Sequence, residues 1–128
     1  MSDRIKQRIH LAVEAALDKH AFDLDVLDVT GLTPIGDFFV ICSATTERQT
    51  VAIFDAIEDR VRAEGGQKPL IVEGVNPGRW ILMDYGDFIV HIFTDECRHF
   101  YALERLWGDA PNVTGKFAPA PAPVAVKA

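Results

Sequence analysis

The stretch from Gly78 to Trp107 constrains the fold more than any other part of the chain. Two apolar runs, Trp80 to Met83 and Phe88 to Phe93, flank the sequence Asp-Tyr-Gly-Asp, which is typical of a tight β-hairpin turn. An amphipathic pattern follows directly and indicates a helix. The stretch therefore predicts two neighbouring antiparallel strands followed by a helix.

The predicted hairpin has two unequal faces, because side chains alternate along a strand. A two-residue loop at Tyr85-Gly86 predicts that Met83 faces Phe88 and that Trp80 faces His91. One face is wholly apolar and is predicted to be core: Ile81, Met83, Phe88, Val90 and Ile92. The other face is mixed: Trp80, Leu82, Asp84, Asp87, Ile89 and His91. Either a helix covers the mixed face, or it is partly open and binds a partner through aromatic anchors rimmed by acids.

The remaining patterns predict a single α/β domain with a mixed sheet of about five strands flanked by helices. Helical spacing runs from about Asp3 to Lys19, and a capping box from Thr46 to Gln49 opens a second helix that Gly65-Gly66 closes. Apolar runs at 37–44 and 70–72 flank this helix and favour a βαβ crossover. We place the domain at residues 1–110 and a disordered Ala/Pro-rich tail at 111–128.

Charge and composition limit the partners and the compartment. The net charge of −6 counts against direct binding to a nucleic-acid backbone and suits a basic protein partner. No apolar stretch is long enough to span a bilayer, so no membrane partner is expected. The two cysteines offer no disulfide framework, and both thiols are expected to be free in a cytoplasmic protein.

Two acidic residues raise the alternative of a metal-dependent nucleotidyltransferase. Asp23 and Asp25 could hold magnesium from one side of a strand. However, no Gly-Ser or Gly-Gly turn precedes them to bind a phosphate. Solvated acids flanking an edge strand are the favoured interpretation.

Three other polar groupings offer alternative chemical sites. Cys97, His99 and His91 form a compact metal-like set, but Cys97 and His99 would point roughly 200° apart on a helix. Cys97 near a helix start could have a depressed pKa, yet no base is clearly placed beside it. His91 could be a general base oriented by Asp84 or Asp87, with Ser43 as nucleophile, although packing is the favoured role for each.

The chain carries a series of motifs in this order: Asp28-Val29-Thr30, Asp37 to Ile41, Thr46 to Gln49, Glu73-Gly74, Trp80 to Asp87, Val90 to Phe93, Arg98, Tyr101, and Leu103 to Trp107. Together these motifs resemble the ribosomal silencing factor, or Iojap-like, family. The resemblance covers nearly everything from the first helix to Pro111, and its hairpin-plus-helix portion is long and specific.

The resemblance implies a nucleotidyltransferase-like fold without demonstrated catalytic machinery, catalytic residues, metal or cofactor. It implies binding to the large ribosomal subunit through its fourteenth-numbered protein, which blocks joining of the small subunit and represses translation. Large-subunit assembly is the alternative role in relatives. The free protein is expected to self-associate through the same apolar patch. The implied partner-binding residues are Trp80, Leu82, Asp84 and Tyr85 as contacts, with His91, Arg98, Tyr101 and Glu104 as nearby support or rim.

Overall fold

The computed structural model describes residues 3–34, 36–101 and 110–117, with the side chains of residues 100 and 101 left out. The predicted α/β domain with a five-stranded mixed sheet is confirmed. The elements are α1 (Asp3–Asp18), β1 (Phe22–Asp28), β2 (Phe38–Ala44), α2 (Glu47–Gly65), β3 (Ile71–Glu73), β4 (Trp80–Asp84), β5 (Phe88–Thr94), α3 (Asp95–Tyr101) and a 3₁₀ turn (Thr114–Lys116).

The sheet has the order β1-β2-β5-β4-β3, with β2 and β5 parallel and the other neighbours antiparallel. Strand β2 is buried along its whole length, as its apolar run predicts for an interior strand. The predicted crossover from β2 through α2 to β3 does not join adjacent strands, because β5 and β4 lie between them. Strands β1 and β3 are therefore the two edges of the sheet.

The hairpin turn lies one residue later than predicted. Met83 pairs with Val90 and Trp80 pairs with Phe93, so the predicted register is wrong by two residues. Gly86 has a φ of +89°, which suits the first loop position of a type II′ turn, where glycine adopts this conformation without strain. A shift of two residues leaves every side chain on its predicted face, and only the pairing changes.

Helix α2 begins and ends where the sequence predicts. The Thr46 hydroxyl accepts a hydrogen bond from the Gln49 backbone N–H at 3.1 Å, and the Gln49 side chain accepts one from the Thr45 N–H at 2.8 Å. Gly66, in the left-handed region at φ 70°, closes the helix. The capping box and the glycine together fix both ends of the helix.

The helices lie on the two sides of the sheet. Helices α1 and α2 pack on one side, here called the α1/α2 face, over a core that includes Ile9, Ile53 and Met83. Helix α3 contacts β5 and β2 on the other side, here called the α3 face. A smaller buried cluster there includes Phe39 and Phe93. Within the described residues, no helix is long and apolar enough to cross a membrane.

Residues 111–117 cover the outer edge of β1. The N–H of Asp28 donates to the Pro111 carbonyl at 2.9 Å, and the N–H of Val113 donates to the Val26 carbonyl at 2.8 Å. Phe117 is buried against α1 and the sheet. Packed structure therefore continues past residue 110, where we placed the domain end, as far as Phe117; the rest of the predicted tail lies outside the described residues.

Candidate partner-binding surface

The outer part of the α3 face is built by β4. Trp80, Leu82 and Asp84 alternate with the buried Ile81 and Met83, and all three are only partly buried. On the neighbouring β5, the residues of the same face, such as Ile89 and His91, are buried. The burial increases inward because β5 is the middle strand and β4 lies beside the edge strand β3. The mixed face of the hairpin is thus covered over β5 and partly open over β4.

The Trp80 indole is held in place by an aromatic cluster. Its ring lies 4.9 Å from the Phe93 ring at an interplanar angle of 29°, and its Nε1–H donates to His91 Nδ1 at 3.1 Å. His91 in turn meets Phe39 edge-on at 5.0 Å. Aromatic packing of this kind is favourable beyond the buried area alone, and it fixes the orientation of the half-exposed ring. We call Trp80, His91, Phe93 and Phe39 the aromatic cluster.

His91 has the properties of a packed neutral histidine. Burial lowers its pKa from 6.5 to about 4, because desolvation disfavours the charged imidazolium. Nδ1 accepts from Trp80, so the proton of the neutral ring lies on Nε2, which finds no acceptor within the described ranges. Asp84 does not orient the ring, since its Oδ1 accepts from the Gly86 N–H at 2.8 Å. The structure therefore favours the packed role of His91 over that of a general base.

Tyr85 does not belong to the exposed surface. Its side chain is only 1% exposed and stacks on Phe88 at 4.8 Å, on the α1/α2 face. Burial raises the pKa of its phenol. The cause is the position of the turn: with the loop at Gly86-Asp87, Tyr85 extends the alternation that buries Ile81 and Met83. Its prediction as a surface contact is therefore corrected to a core role.

Arg98 is buried rather than solvated on the helix surface. Its guanidinium bonds to Asp25 Oδ2 at 2.9 Å, to Ser43 Oγ at 3.0 Å and to the Asp23 carbonyl. Asp23 adopts a φ of +50° where the β1 register shifts. Arg98 thus connects α3 to the strands β1 and β2. Its role is to support the fold, not to contact a partner directly. Ser43 is fully buried and hydrogen-bonded, which removes it as a nucleophile.

The structure also bears on the other proposed chemical sites, at Asp25 and Cys97. Asp25 is not a solvated acid, because Arg98 and the Asn112 amide, at 3.0 Å, both bond its carboxylate. Partial burial raises the pKa of the Cys97 thiol, opposite to the shift that a nucleophile requires. Within residues 3–34, 36–101 and 110–117, no three His, Cys, Asp or Glu residues are placed to hold a metal ion.

Two predicted partner-binding residues have side chains outside the described part of the chain. Tyr101 ends α3 and its side chain is not among those described, while Glu104 lies outside the described residues. Sequence reasoning missed Phe93, which stacks directly on the Trp80 ring. The signal was present, because Phe93 continues the alternation of Ile89 and His91 along β5. The prediction stopped at His91 because the assumed register paired Trp80 with that residue.

A separate cleft of about 690 Å³ lies where the helices α2 and α3 begin. Thr46, Arg79 and Cys97 are among its lining residues. Arg79 is already paired there with Glu47, with 3.0 Å between Nε and Oε2. We assign no chemistry to this cleft.

Comparison with known proteins decides the family. Residues 2–127 match the family model described as "Ribosomal silencing factor during starvation". The chain belongs to this family. It is 41% identical over 108 residues to the ribosomal silencing factor of Halalkalibacterium halodurans, covering 84% of this chain and 92% of that protein. The Bacillus subtilis ribosomal silencing factor is 40% identical over 106 residues, covering 83% of this chain and 89% of the relative.

A solved structure supports the same assignment. Protein CV0518 from Chromobacterium violaceum superimposes with a TM-score of 0.78 at 30% identity. The match covers 84% of this chain and 88% of that chain. The resemblance to the ribosomal silencing factor family, stated from motifs spread between the first helix and Pro111, is thus confirmed.

Proposed function

We propose that this protein binds the large ribosomal subunit in the cytoplasm and prevents the small subunit from joining, thereby repressing translation. The observation that carries the proposal is the partly buried Trp80 beside Leu82, held in place by the aromatic cluster, in a chain whose relatives are named ribosomal silencing factors. We call Trp80, Leu82 and Asp84 the docking surface. Its proposed target is the fourteenth-numbered protein of the large subunit.

The physical properties of the docking surface support a protein partner. A tryptophan and a leucine that are already partly buried lose little conformational entropy on binding, because the backing residues restrict their rotation. Tryptophan is also among the residues that most often dominate binding energy. Asp84 beside the apolar pair and the exposed Asp87 at the turn give an acidic rim, which attracts a basic surface and speeds association.

The proposed action is steric and needs no catalytic step. A bound protein of 14.2 kDa on the subunit-joining face occupies space that the small subunit requires. Arg98, His91 and Phe93 contribute by holding the sheet and the indole in the binding geometry.

We predict that the purified protein co-sediments with purified large subunits and that Trp80→Ala weakens this capture at least roughly tenfold, because a central anchor is lost. Capture is measured by sedimentation over a range of protein concentrations. Subunit joining is measured in parallel by the yield of joined ribosomes in a gradient. The wild-type protein is expected to lower that yield, and the variant to lower it only at higher concentration.

Leu32→Ala is the matched control, since Leu32 is 48% exposed and lies outside the docking surface. It is expected to bind and to inhibit joining as the wild type does. Leu82→Ser provides a second test that leaves the Trp80–His91 hydrogen bond intact. Normal subunit joining at saturating wild-type protein would disprove the proposed function.

A further inference from the structure

The edge strand β3 continues the face that carries the docking surface. Ile71 pairs with Asp84 and Glu73 pairs with Leu82, so both β3 residues share a face with Trp80. Ile71 lies directly beside Asp84 and diagonally beside Leu82, within the reach of side chains on neighbouring strands. The apolar strip on β4 therefore extends sideways to the edge of the sheet.

Ile71 is unusually exposed for its type. Its side chain is 52% exposed, and among the described residues only Leu32 and Leu70 are other large apolar side chains of comparable exposure. A single exposed apolar residue needs no explanation, but Ile71 lies diagonally beside the partly buried Leu82, which in turn lies on the same face of β4 as the partly buried Trp80. Contiguity is what distinguishes a binding strip from scattered surface leucines.

The two edge strands of the sheet, β1 and β3, also differ in what pairs with their outer sides. The outer edge of β1 is covered by residues 111–114 through backbone hydrogen bonds. The three-residue strand β3 pairs with β4 and, over the described part of the chain, with no other segment. Natural sheets usually cover or charge their edges, and an edge that stays open next to an apolar strip favours a role in binding.

We propose that the docking surface extends across β4 onto Ile71, with Glu73 as part of its rim, and that this strip meets an apolar patch bordered by basic residues on the large-subunit protein. This inference rests on the proposed function and adds two residues, Ile71 and Glu73, that lie on β3 and not on the hairpin. Its occupant follows from two observations: continuity with Trp80 and Leu82, and the charge at the border.

The border charge favours a basic partner over a second copy of this chain. Asp84, Asp87 and Glu73 are carboxylates that lie along the strip or at its end. Two copies meeting through this face would bring carboxylates against carboxylates, which costs free energy. The nearest cation along β4, Arg79, is paired with Glu47 at 3.0 Å beside α2. A basic surface would instead neutralise the acids.

The test compares Ile71→Ser with Leu70→Ser in binding to purified large subunits. Leu70 is the matched control because it is 69% exposed, precedes Ile71 in the chain and lies outside β3, beside Gly86 of the hairpin turn. Ile71→Ser is expected to weaken capture at least roughly fivefold, because the strip loses an apolar contact. Leu70→Ser is expected to change capture less than twofold. Both variants should keep the wild-type denaturation midpoint.

Glu73→Lys tests the charge of the rim separately. It is expected to slow association with large subunits and to reduce the salt dependence of the association rate, because an attractive acid becomes repulsive. Unchanged association kinetics would remove Glu73 from the proposed rim.

The outcomes separate this inference from the function on which it rests. Loss of capture in Trp80→Ala together with wild-type capture in Ile71→Ser would overturn the extension and leave the proposed function standing. Failure of the wild-type protein to bind large subunits would overturn both. Ile71→Ser that abolished self-association at high protein concentration, with capture unchanged, would assign the strip to a second copy instead and would overturn the proposed occupant.

Discussion

His91 occupies a position in the middle strand where an aliphatic side chain would ordinarily be buried. Its ring is 5% exposed, lies against Phe39 and accepts a hydrogen bond from Trp80. Because an imidazolium cannot accept at Nδ1, protonation would remove this hydrogen bond and place a charge in an apolar environment. The orientation of the Trp80 indole, the proposed anchor, therefore depends on His91 Nδ1 staying unprotonated.

A pH dependence of stability follows from the lowered pKa of His91. The unfolded chain takes up a proton near pH 6.5, but the folded protein does so only near pH 4. The free energy of unfolding should therefore fall as the pH is lowered through this window, by about 3 kcal/mol in total, and the contribution should be absent below it. Denaturant unfolding between pH 4 and pH 7 measures this slope.

His91→Phe should flatten the slope in that window, because phenylalanine fills the site and does not titrate. Leu32→Ala is the control, since it changes an exposed side chain and removes no titratable group, and it should leave the slope as in the wild type. An equal slope in wild type and His91→Phe would contradict the assignment to His91.

Single residues were predictable where alternation decided their environment. Trp80 and Leu82 were correctly placed on the mixed face, because a shift of register by two does not change the face. Tyr85 was misplaced because both Tyr-Gly and Gly-Asp are acceptable two-residue loops, and the choice between them decides whether the tyrosine is turn or core. The packing of Phe88 against the tyrosine ring is a tertiary interaction that no local pattern contains.

Among the elements, α3 depends most on a single long-range contact. Arg98 bonds to Asp25 on β1 and to Ser43 on β2, residues that lie 73 and 55 positions earlier in the chain. Its side chain is 7% exposed and that of Asp25 is 31% exposed. The helix is thus attached to two strands by a buried, fully engaged guanidinium.

Arg98→Ala should lower the free energy of unfolding by about 3 kcal/mol, because it leaves a half-buried carboxylate without its cation. Equilibrium denaturant unfolding at neutral pH measures the change. Arg98→Lys should rescue only part of it, since an ammonium cannot reproduce the forked geometry. In the control Arg62→Ala, an exposed pair with Asp59 is lost, and the change should stay within about 0.5 kcal/mol. A similarly small effect for Arg98→Ala would refute the supporting role.

The existence of the elements was easier to predict than their mutual contacts. The ends of α2 could be predicted from its capping box and its glycines, because both motifs act on residues close by in the chain. The buried ion pair of Arg98 was not predicted, because helical periodicity identifies apolar stripes and cannot identify a partner on a distant strand. Its buried role depends on the register shift near Asp23, which turns a backbone carbonyl toward the guanidinium.

At the scale of the whole molecule, the segment 111–117 closes one side of the fold. Phe117 is 6% exposed and packs against His10 at 5.1 Å and Phe38 at 6.3 Å. The Thr114 hydroxyl accepts a hydrogen bond from the Val26 N–H at 2.8 Å. The segment therefore joins α1 to the edge strand β1.

Phe117→Ala should lower the free energy of unfolding by about 3 kcal/mol, because a buried aromatic ring is replaced by a cavity. Thermal or denaturant unfolding measures the loss. Leu32→Ala, at an exposed position, should change stability by no more than about 0.5 kcal/mol. Wild-type stability in Phe117→Ala would show that the segment contributes little to the fold.

The order of the strands could not be derived from the sequence. The parallel pair of β2 and β5 joins segments about fifty residues apart, and nothing in either apolar run specifies the other as its neighbour. The sequence predicted the crossover from β2 through α2 to β3, but not that β5 and β4 lie between those two strands. The inserted hairpin takes the place next to β2 because β5, with six of its seven residues buried, needs neighbours on both sides.

This parallel pairing makes the proposed docking surface a property of the assembled sheet. Phe39, which supports His91 from behind, comes from β2, and β5 pairs with β2 along its whole length. A synthetic peptide of the hairpin alone would carry Trp80 and Leu82 but would lack that support, and isolated two-stranded hairpins are marginally stable in water. The proposed ribosome binding could therefore not be transferred to another protein by grafting the hairpin sequence alone. The graft would also need strand β2, because β2 supplies Phe39.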